Sequence, residues 1–259
     1  MVREFDPWTA PEVRQGELAR AQSDGSYPGQ DRLGMKLVTA KLAISAATDV
    51  LEQAARRTLA GAWKQPAANA TVPLVWMEDD GVKYALYGKP RLASTQLAPR
   101  LYTEARFVAT DPRIYTAASL SPSTTFPTGG AGGLSFAGAG AVAPFVFSGA
   151  GSGGSIDCTN SGTYETPYTI TIAGPVVAPL VGHSVQGRSL SFTGTLVAGA
   201  TLVIDSRSKT VLLNGTASRY SWLTTASQWF TLEPGANALR FSGASGSGTC
   251  SVRYAPAWL

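Results

Sequence analysis

The sequence predicts a mainly β protein in which an N-terminal α+β sheet domain with one helix precedes a C-terminal β-sandwich of the jelly-roll type. Three observations lead to this fold class. Many short segments alternate apolar and polar residues with period two, which is typical of strands with one buried face. Gly, Pro, Asn-Gly and Asp-Gly separate these segments, as they do in hairpins. A single segment has the spacing of an amphipathic helix.

The distribution of charge and glycine divides the chain into two modules. Of the 21 basic and 17 acidic residues, 15 and 13 lie in residues 1–120, whereas 21 of the 28 glycines lie in residues 121–259. We therefore predict an N-terminal domain over residues 1–118, a linker rich in Gly, Pro, Ser and Thr over residues 119–133, and a C-terminal domain over residues 134–259. The net charge of +4, with both signs interleaved, does not favour a nucleic-acid-binding protein.

The first module opens with a long polar segment, residues 6–34. Its Asp-Gly and Pro-Gly pairs predict an ordered arm or a long loop rather than a core element. Met35–Ser45 follows as a strand with partial alternation, in which Lys36 and Lys41 are polar positions.

One helix is predicted over about Asp49–Ala62. Thr48 is a suitable N-cap, and Asp49 and Glu52 lie near the positive end of the helix dipole. We expect this helix to pack on the sheet of the first module through a moderately apolar stripe: Val50, Leu51, Ala54, Thr58 and Leu59.

A hairpin follows the helix. Val72–Met77 and Lys83–Tyr87 are predicted strands, and Asp80 and Gly81 form a favoured two-residue turn between them. Gly88-Lys89-Pro90 is expected to end this hairpin. Two further strands over Leu92–Ala98 and Tyr102–Ala109 complete a sheet of about five strands.

The second module contains short strands at close spacing, which favours a sandwich. They are predicted over Leu134–Phe136, Pro144–Ser148, Ser155–Thr159, Tyr168–Ala173, Ser189–Leu196, Thr201–Asp205, Thr210–Leu213 and Ser218–Leu223. Asn214 and Gly215 form a second hairpin turn. A closing hairpin begins with a strand at Trp229–Leu232, turns at Pro234 and Gly235 in a type II turn, and ends on Trp258-Leu259, which we expect to be buried in the sandwich.

Two cysteines, Cys158 and Cys250, lie in the second module. They are either two buried small side chains or a disulfide between neighbouring strands, which requires an oxidising setting. Two cysteines without a histidine cluster do not make a metal site, so no metal or other cofactor is expected.

Catalysis receives little support from the residue types. The single histidine, His183, lies in a turn-like segment, and no G-x-S-x-G elbow occurs. A glycosidase pair could be drawn from four carboxylates, but each has a simpler structural role: Asp157, Glu165, Asp205 and Glu233. The Glu78-Asp79-Asp80 cluster lies at a hairpin tip without the spaced acidic loop of a calcium site. We therefore expect no enzyme.

Carbohydrate binding is the alternative function. Jelly-roll domains often hold sugars on aromatic platforms, and Trp222, Trp229 and Trp258 are available, with Tyr220 nearby. Each of them lies in or beside a predicted strand, where an aromatic side chain also serves the core.

Several segments resemble the siphophage distal tail protein, a family also named phage minor tail protein. They are WFTLEPGANALRFSG (229–243) with CSVRYAPAWL (250–259), YTITIAGPVVAPLV (168–181), TLVIDSRSKTVLLNG (201–215), residues 10–44 and ARFVATDPRIY (105–115). The resemblance covers nearly the whole chain. Its motifs are structural turns and packing aromatics, and they occur in the order of the family.

The resemblance implies a structural protein of the virion. The N-terminal domain would form a ring, usually a homohexamer, at the far end of the tail tube, and a galectin-like C-terminal sandwich would project outward. Such a ring joins the tail tube protein to the tail-tip or hub protein of the baseplate. It also leaves a channel for the tape measure protein and for DNA in transit.

The N-terminal residues predict the place of synthesis. Met1–Asp6 is charged and lacks an apolar core, so we expect no signal peptide. No apolar run approaches the length of a membrane span. Synthesis and assembly are expected in the host cytoplasm, with the tail tip as the final location.

Overall fold

The structure is a computed structural model that describes residues 2–44, 46–67, 70–96, 102–127 and 153–259. Within these residues the chain is mainly β with one α-helix, which confirms the predicted fold class. It divides into two compact units, of which the first comprises residues 1–117 with 258–259 and the second residues 118–257. The strands predicted over Leu134–Phe136 and Pro144–Ser148 lie outside the described residues, as does part of the expected linker.

The described elements are as follows. The first unit contains β1 (Val2–Phe5), β2 (Val13–Arg14), β3 (Leu18–Ala19), β4 (Ser26–Tyr27), β5 (Arg32–Leu33), β6 (Lys36–Ala43), α1 (Asp49–Ala62), β7 (Val72–Met77), β8 (Lys83–Gln96), β9 (Tyr102–Ala109) and β10 (Ile114–Thr116). The second contains β11 (Ser123–Thr125), β12 (Ser155–Asn160), β13 (Tyr168–Ala173), β14 (Val176–Val177), β15 (Leu180–His183), β16 (Arg188–Ser191), β17 (Thr195–Leu196), β18 (Thr201–Asp205), β19 (Thr210–Leu213), β20 (Ala217–Ser218), a 3₁₀ turn (Tyr220–Trp222), β21 (Gly235–Ser242), β22 (Ser245–Gly246) and β23 (Thr249–Tyr254). The last strand is β24 (Ala257–Trp258).

The first unit is built on one antiparallel sheet. Its strands lie in the order β1-β6-β9-β8-β10-β24, and β7 pairs with β8 beside this path. One face of the sheet buries a small apolar core: Val38, Leu86, Phe107, Ala109 and Ile114.

The polar arm forms a long hairpin. Val13 lies opposite Leu33 in the β2–β5 pair, and Leu18 lies opposite Tyr27 in the β3–β4 pair. Every residue from 12 to 32 is exposed, so this hairpin is ordered by backbone pairing and not by contact with the core.

Strand β6 buries a face that begins with a lysine and leaves Leu37 on the outer face. Lys36, Val38 and Ala40 are buried, whereas Leu37 is 45% exposed. The ammonium of Lys36 has no hydrogen-bond partner among the described residues. Burial lowers the pKa of Lys36, and the nearby carboxylate of Asp6 opposes this shift only in part.

We expect Lys36→Met to raise the melting temperature at pH 7. The lowered pKa of Lys36 means that burial destabilises the folded protein while the ammonium is charged. This cost is present at neutral pH. It is lost as the pH rises from the lowered pKa of the folded state to the unfolded value of 10.5, because the amine is then neutral in both states. The gain should therefore shrink toward pH 10.5 in thermal unfolding scans. Lys41→Met is the matched control, because Lys41 is exposed on the other face and pairs with Glu4 at 2.6 Å. A gain that stays constant with pH would contradict the explanation.

The helix has the predicted bounds, Asp49–Ala62, and the backbone N–H of Leu51 donates to Thr48 Oγ1 at 3.4 Å. The prediction of which side of the helix packs on the sheet is wrong. Glu52, Arg56 and Leu59 are the half-buried positions, whereas most of the predicted stripe is exposed. Just beyond the helix, the Trp63 indole N–H donates to the carbonyl of Arg106 at 3.0 Å, which fixes the end of the helix against β9.

Strand β8 continues through Gly88-Lys89-Pro90, where we expected it to end. It pairs with β7 as far as Gly88 and with β9 from Lys89 onward, so the segment passes from one partner to the other. A Cβ on Gly88 would overlap the carbonyl of Val108 and the ring of Phe107, so only glycine allows this approach. Pro90 lies beyond the end of β7 and opposite Phe107 of β9.

The second unit is a β-sandwich, as predicted. A six-stranded sheet (β11-β23-β13-β18-β19-β20) and a four-stranded sheet (β12-β21-β15-β16) enclose one core, and β17-β14-β22 form a small third sheet. Both large sheets contribute alternate residues to the core: Ile170, Ile172, Leu202, Ile204 and Val252 from one, and Ile156, Val181, Leu190, Leu239 and Phe241 from the other. The jelly-roll and galectin-like assignments stay predictions.

Three expectations about the second module need correction. Ser123–Thr125 pairs with β23, so this part of the expected linker is an edge strand. Ser218–Leu223 is not one strand, because the chain leaves β20 for the 3₁₀ turn. Trp229–Leu232 is not a strand either: Phe230 and Leu232 are buried, but only Leu232 forms an isolated bridge, with Thr166. Burial alternates along residues 229–232 although they do not pair as a strand.

The last two residues belong to the first unit. Trp258 packs on the core of that unit, with its ring centroid 5.3 Å from that of Tyr84 in an edge-to-face contact. The expectation that the Trp-Leu end closes the sandwich is therefore wrong for these side chains. The terminal apolar pattern correctly indicated burial but did not indicate the core in which it occurs.

Candidate assembly surfaces

His183 is a buried structural residue. Its Nε2 lies 3.0 Å from Asn237 Oδ1, and its Nδ1 accepts the backbone N–H of Gln186 at 3.2 Å. Because Nδ1 accepts a hydrogen bond, the ring hydrogen lies on Nε2, and Nε2 donates a hydrogen bond to Asn237 Oδ1. Both nitrogens are therefore occupied within the fold, and neither is left free to act as a general base.

Asn237 is the centre of this polar network, and sequence reasoning missed it. Its Nδ2 donates to the carbonyls of Cys158, Glu233 and Gly235 at 3.3, 2.8 and 3.0 Å. Its Oδ1 also accepts the backbone N–H of Glu233 at 2.9 Å. The side chain thus holds the closing turn at Pro234 and Gly235, where Gly235 has a φ of 92°. Asn237 has the same parity as Leu239 in β21, so strand alternation alone could have indicated that its side chain faces the core.

The four candidate carboxylates have separate environments. Glu165 accepts the Thr231 hydroxyl at 2.8 Å, and Glu233 accepts the Gln186 amide at 3.1 Å. Asp205 caps the β18–β19 turn through the N–H of Arg207 at 2.7 Å, and Asp157 is exposed on β12. Across the described ranges, no three His, Cys, Asp or Glu side chains are grouped to hold a metal.

The two hairpin turns are placed as follows. Asp80 and Gly81 lie in the connection between β7 and β8, where the N–H of Gly81 donates to the carbonyl of Glu78 at 3.0 Å and Gly81 has a φ of 80°. Asn214 and Gly215 follow β19 with φ values of 52° and 73°. The Asn214 side chain also accepts the N–H of Thr201 at 2.9 Å, which ties the turn to β18.

Cys158 and Cys250 are both buried free thiols. They lie on β12 and β23, which belong to different sheets of the sandwich. Here they correspond to the first of the two alternatives, two buried small side chains, and the disulfide stays a prediction. Burial raises the pKa of each thiol to about 12, with smaller contributions from Asp157 at Cys158 and from Cys158 at Cys250.

We expect neither thiol to react with Ellman's reagent at pH 8 in the folded protein, and both to react in denaturant, because the thiolate is the nucleophile. The fold also loses stability when the thiols ionise, because burial disfavours the thiolate. The free energy of unfolding should therefore fall as the pH rises from about 9 toward about 12, and less so in a Cys158→Ala/Cys250→Ala variant. Rapid labelling of either thiol in the native protein would contradict this.

The three candidate tryptophans do not share one unit. Trp222 and Trp229 are half-buried against the sandwich core, whereas Trp258 belongs to the first unit. The ring of Trp222 lies directly against Gly194, and the Arg219 guanidinium lies over it at 5.6 Å. The contacts of Trp222 and Trp229 are those of core aromatics.

We expect Trp222→Ala and Trp229→Ala each to lower the free energy of unfolding by about 2–3 kcal/mol, somewhat less than a fully buried tryptophan would. Urea unfolding measures the change, and a glycan array with the same samples tests the sugar alternative. Tyr220→Ala is the control, because that side chain is 50% exposed. If either tryptophan variant lost glycan binding without losing stability, that tryptophan would belong to a sugar site and not to the core.

One side of the helix leaves apolar groups in contact with water. Val50 is 75% exposed and Leu51 56%, and Ala54 and Arg57 are exposed beside them. At 3.6 residues per turn these four side chains form one stripe, roughly opposite the half-buried face. We refer to them as the helix patch.

The outer face of β7 is also uncovered. Pro73, Val75 and Met77 are exposed on alternate positions, with Val75 at 50% and Met77 at 64%, and Asp79 is exposed just beyond them. We refer to these four residues as the strand patch. Among the described strands, β7 pairs only with β8, so its other edge is unpaired as well.

Residues 161–258 match the protein family described as the siphovirus-type tail component, C-terminal domain. This match, which lies within the C-terminal part of the chain, confirms the resemblance found in the sequence. No curated protein matches the chain by sequence comparison.

The fold of the whole chain is similar to that of the Dit protein (gp 19.1) of phage SPP1, which is described as a paradigm of the hub adsorption apparatus in phages that infect Gram-positive bacteria. The TM-score is 0.69 at 13% identity, over 100% of this chain and 93% of that protein. Two structures of the phage P2 baseplate in its activated conformation, with Ca and with Sr, give TM-scores of 0.45 and 0.41 at 10% and 11% identity, over 97% of this chain and 89% of theirs. In the part of the chain that the structure describes, no helix has the length and hydropathy needed to cross a membrane.

Proposed function

We propose that this protein is the distal tail hub of a siphophage. Six copies would form a ring through their N-terminal units at the far end of the tail tube. The ring would join the tube protein to the tail-tip proteins and enclose a channel for the tape measure protein and for DNA. The observation that carries this proposal is the fold similarity to SPP1 Dit, which covers the whole chain and not only the sandwich.

The surface of the first unit supports assembly with other copies. Several large apolar side chains on its arm, helix and β7 are half or more exposed, an arrangement that is unfavourable in water. They are Val13, Leu18, Tyr27, Val50, Leu51, Val75 and Met77. The unpaired edge of β7 is a second feature that a neighbouring subunit would protect.

The residues that could support another function serve the fold instead. His183, Glu165 and Glu233 hold turns and connections, and Trp222 and Trp229 pack on the core. We therefore propose neither a reaction nor a sugar site. The proposed location is the tail tip of the virion, after assembly in the host cytoplasm.

Electron microscopy tests the proposal in two ways. Negative-stain images of the purified full-length protein should show closed rings with six-fold symmetry and a central opening. Antibodies raised against the protein should label intact particles only at the far end of the tail. Label along the tube or on the capsid would overturn the proposed role, and a protein that forms no ring would overturn the proposed architecture.

A further inference from the structure

The helix patch and the strand patch each present three exposed apolar side chains. Val50 to Ala54 covers four residue steps of helix, about 6 Å at 1.5 Å per residue. Pro73 to Met77 covers four residue steps of strand, about 13 Å at 3.3 Å per residue. The apolar row of the helix patch can therefore lie within the longer apolar row of the strand patch and cover part of it.

Their charges are opposite and lie at corresponding ends. Arg57 ends the helix patch and is absent from the ion pairs formed among the described residues. Asp79 ends the strand patch and is likewise absent from them. The hairpin tip carries three carboxylates, from Glu78 to Asp80, against one nearby ammonium on Lys83. The end of the strand patch is therefore acidic, and that of the helix patch is basic.

We infer that the helix patch of one subunit packs on the strand patch of the next, in a head-to-tail contact that closes the ring. This inference rests on the proposed function, because it names the surfaces through which a ring of this chain would form. Arg57 of one copy then faces Asp79 of its neighbour while the apolar rows cover each other.

A contact between two identical patches covers only one kind of apolar row. Two helix patches side by side in parallel would also bring Arg57 against Arg57, and two parallel strand patches would bring one acidic tip against another. The unlike pairing places Arg57 near Asp79 and covers both apolar rows at once. Contacts between unlike surfaces also generate rings when the rotation closes, whereas a self-complementary contact stops at a dimer.

Site-directed cross-linking tests the contact. We expect the full-length Leu51→Cys/Val75→Cys variant, treated with a short bismaleimide after ring formation, to give a ladder of covalent oligomers on a denaturing gel. Leu51→Cys alone and Val75→Cys alone should remain monomers, because each cysteine would face the other patch. The native Cys158 and Cys250 are buried and provide no competing site.

Charge reversal tests the same contact without a reagent. Arg57→Asp and Asp79→Arg should each weaken self-association about tenfold, the equivalent of a lost close charge pair, and the double variant should recover most of the loss. Sedimentation velocity at several protein concentrations measures the change. Arg240→Asp and Asp157→Arg are matched controls on the exposed face of the sandwich and should have no effect.

The outcomes separate this inference from the function on which it rests. Normal rings in every variant, without cross-links in the double-cysteine protein, would overturn the inference and leave the hub role intact. Cross-linking by either single-cysteine variant would overturn it too, since it would indicate a contact between identical patches. Unmodified protein that never forms rings would contradict the proposed architecture together with the inference.

Discussion

Replacing Asn237 by alanine should lower the free energy of unfolding of the sandwich by about 3–5 kcal/mol, near the upper end for a single substitution. The side chain is only 2% exposed, and its amide serves three carbonyls, one backbone N–H and the ring of His183. Alanine would leave these buried groups without their side-chain partner. The cost is therefore that of several unsatisfied polar groups rather than one lost bond.

Urea unfolding followed by tryptophan fluorescence and circular dichroism measures this effect. Asn237→Asp makes the test sharper, because it keeps the Oδ1 acceptor but replaces the amide donor with an oxygen that faces three carbonyls. We expect it to be destabilised at neutral pH as well. Gln228→Ala is the control, since that side chain is exposed. A change below about 1 kcal/mol for Asn237→Ala would show that the network is not a main support of the fold.

The second large effect should come from the end of the chain. Trp258→Ala is expected to destabilise the first unit by about 2–4 kcal/mol, because it removes an aromatic side chain that packs on a small core. Its indole contacts Tyr84, which itself stacks on Trp76 with ring centroids 6.0 Å apart. A core with few buried side chains has little other apolar area to compensate for the loss.

Hydrogen exchange resolved by peptide tells the two units apart. Amides in β8 and β10 should lose protection in Trp258→Ala, whereas amides in β13 and β18 should keep it. Tyr220→Ala serves as the control for removal of an exposed aromatic side chain. Loss of protection confined to the sandwich would restore the expectation that the terminal tryptophan closes that domain.

Local chemistry allowed many elements to be predicted residue by residue. The helix bounds follow from a capping threonine and from acidic residues in the first turn, which act within a few residues of the chain. The β7 strand followed from a short apolar run beside a turn. These signals are complete within a short window of sequence, so no tertiary information was needed to interpret them.

Elements whose environment is set from a distance could not be predicted in this way. The buried face of β6 could not be read from its partial alternation, because Lys36 takes a buried position and Leu37 an exposed one. Gly88-Lys89-Pro90 has the composition of a strand end, yet β9 supplies a new partner at the point where β7 stops. Asn237 was overlooked because its partners are distributed over three strands and a turn.

The sequence by itself determined many elements of this protein, its mainly β class and its resemblance to siphophage tail components. These depend on periodicity, caps, turns and ordered motifs, all of which are local properties of the chain. Only the tertiary structure decided which faces are buried and which core receives each side chain. Trp258 in the first unit and the exposed helix patch both illustrate this, because burial depends on what folds against a residue, and neighbours in the chain do not specify that.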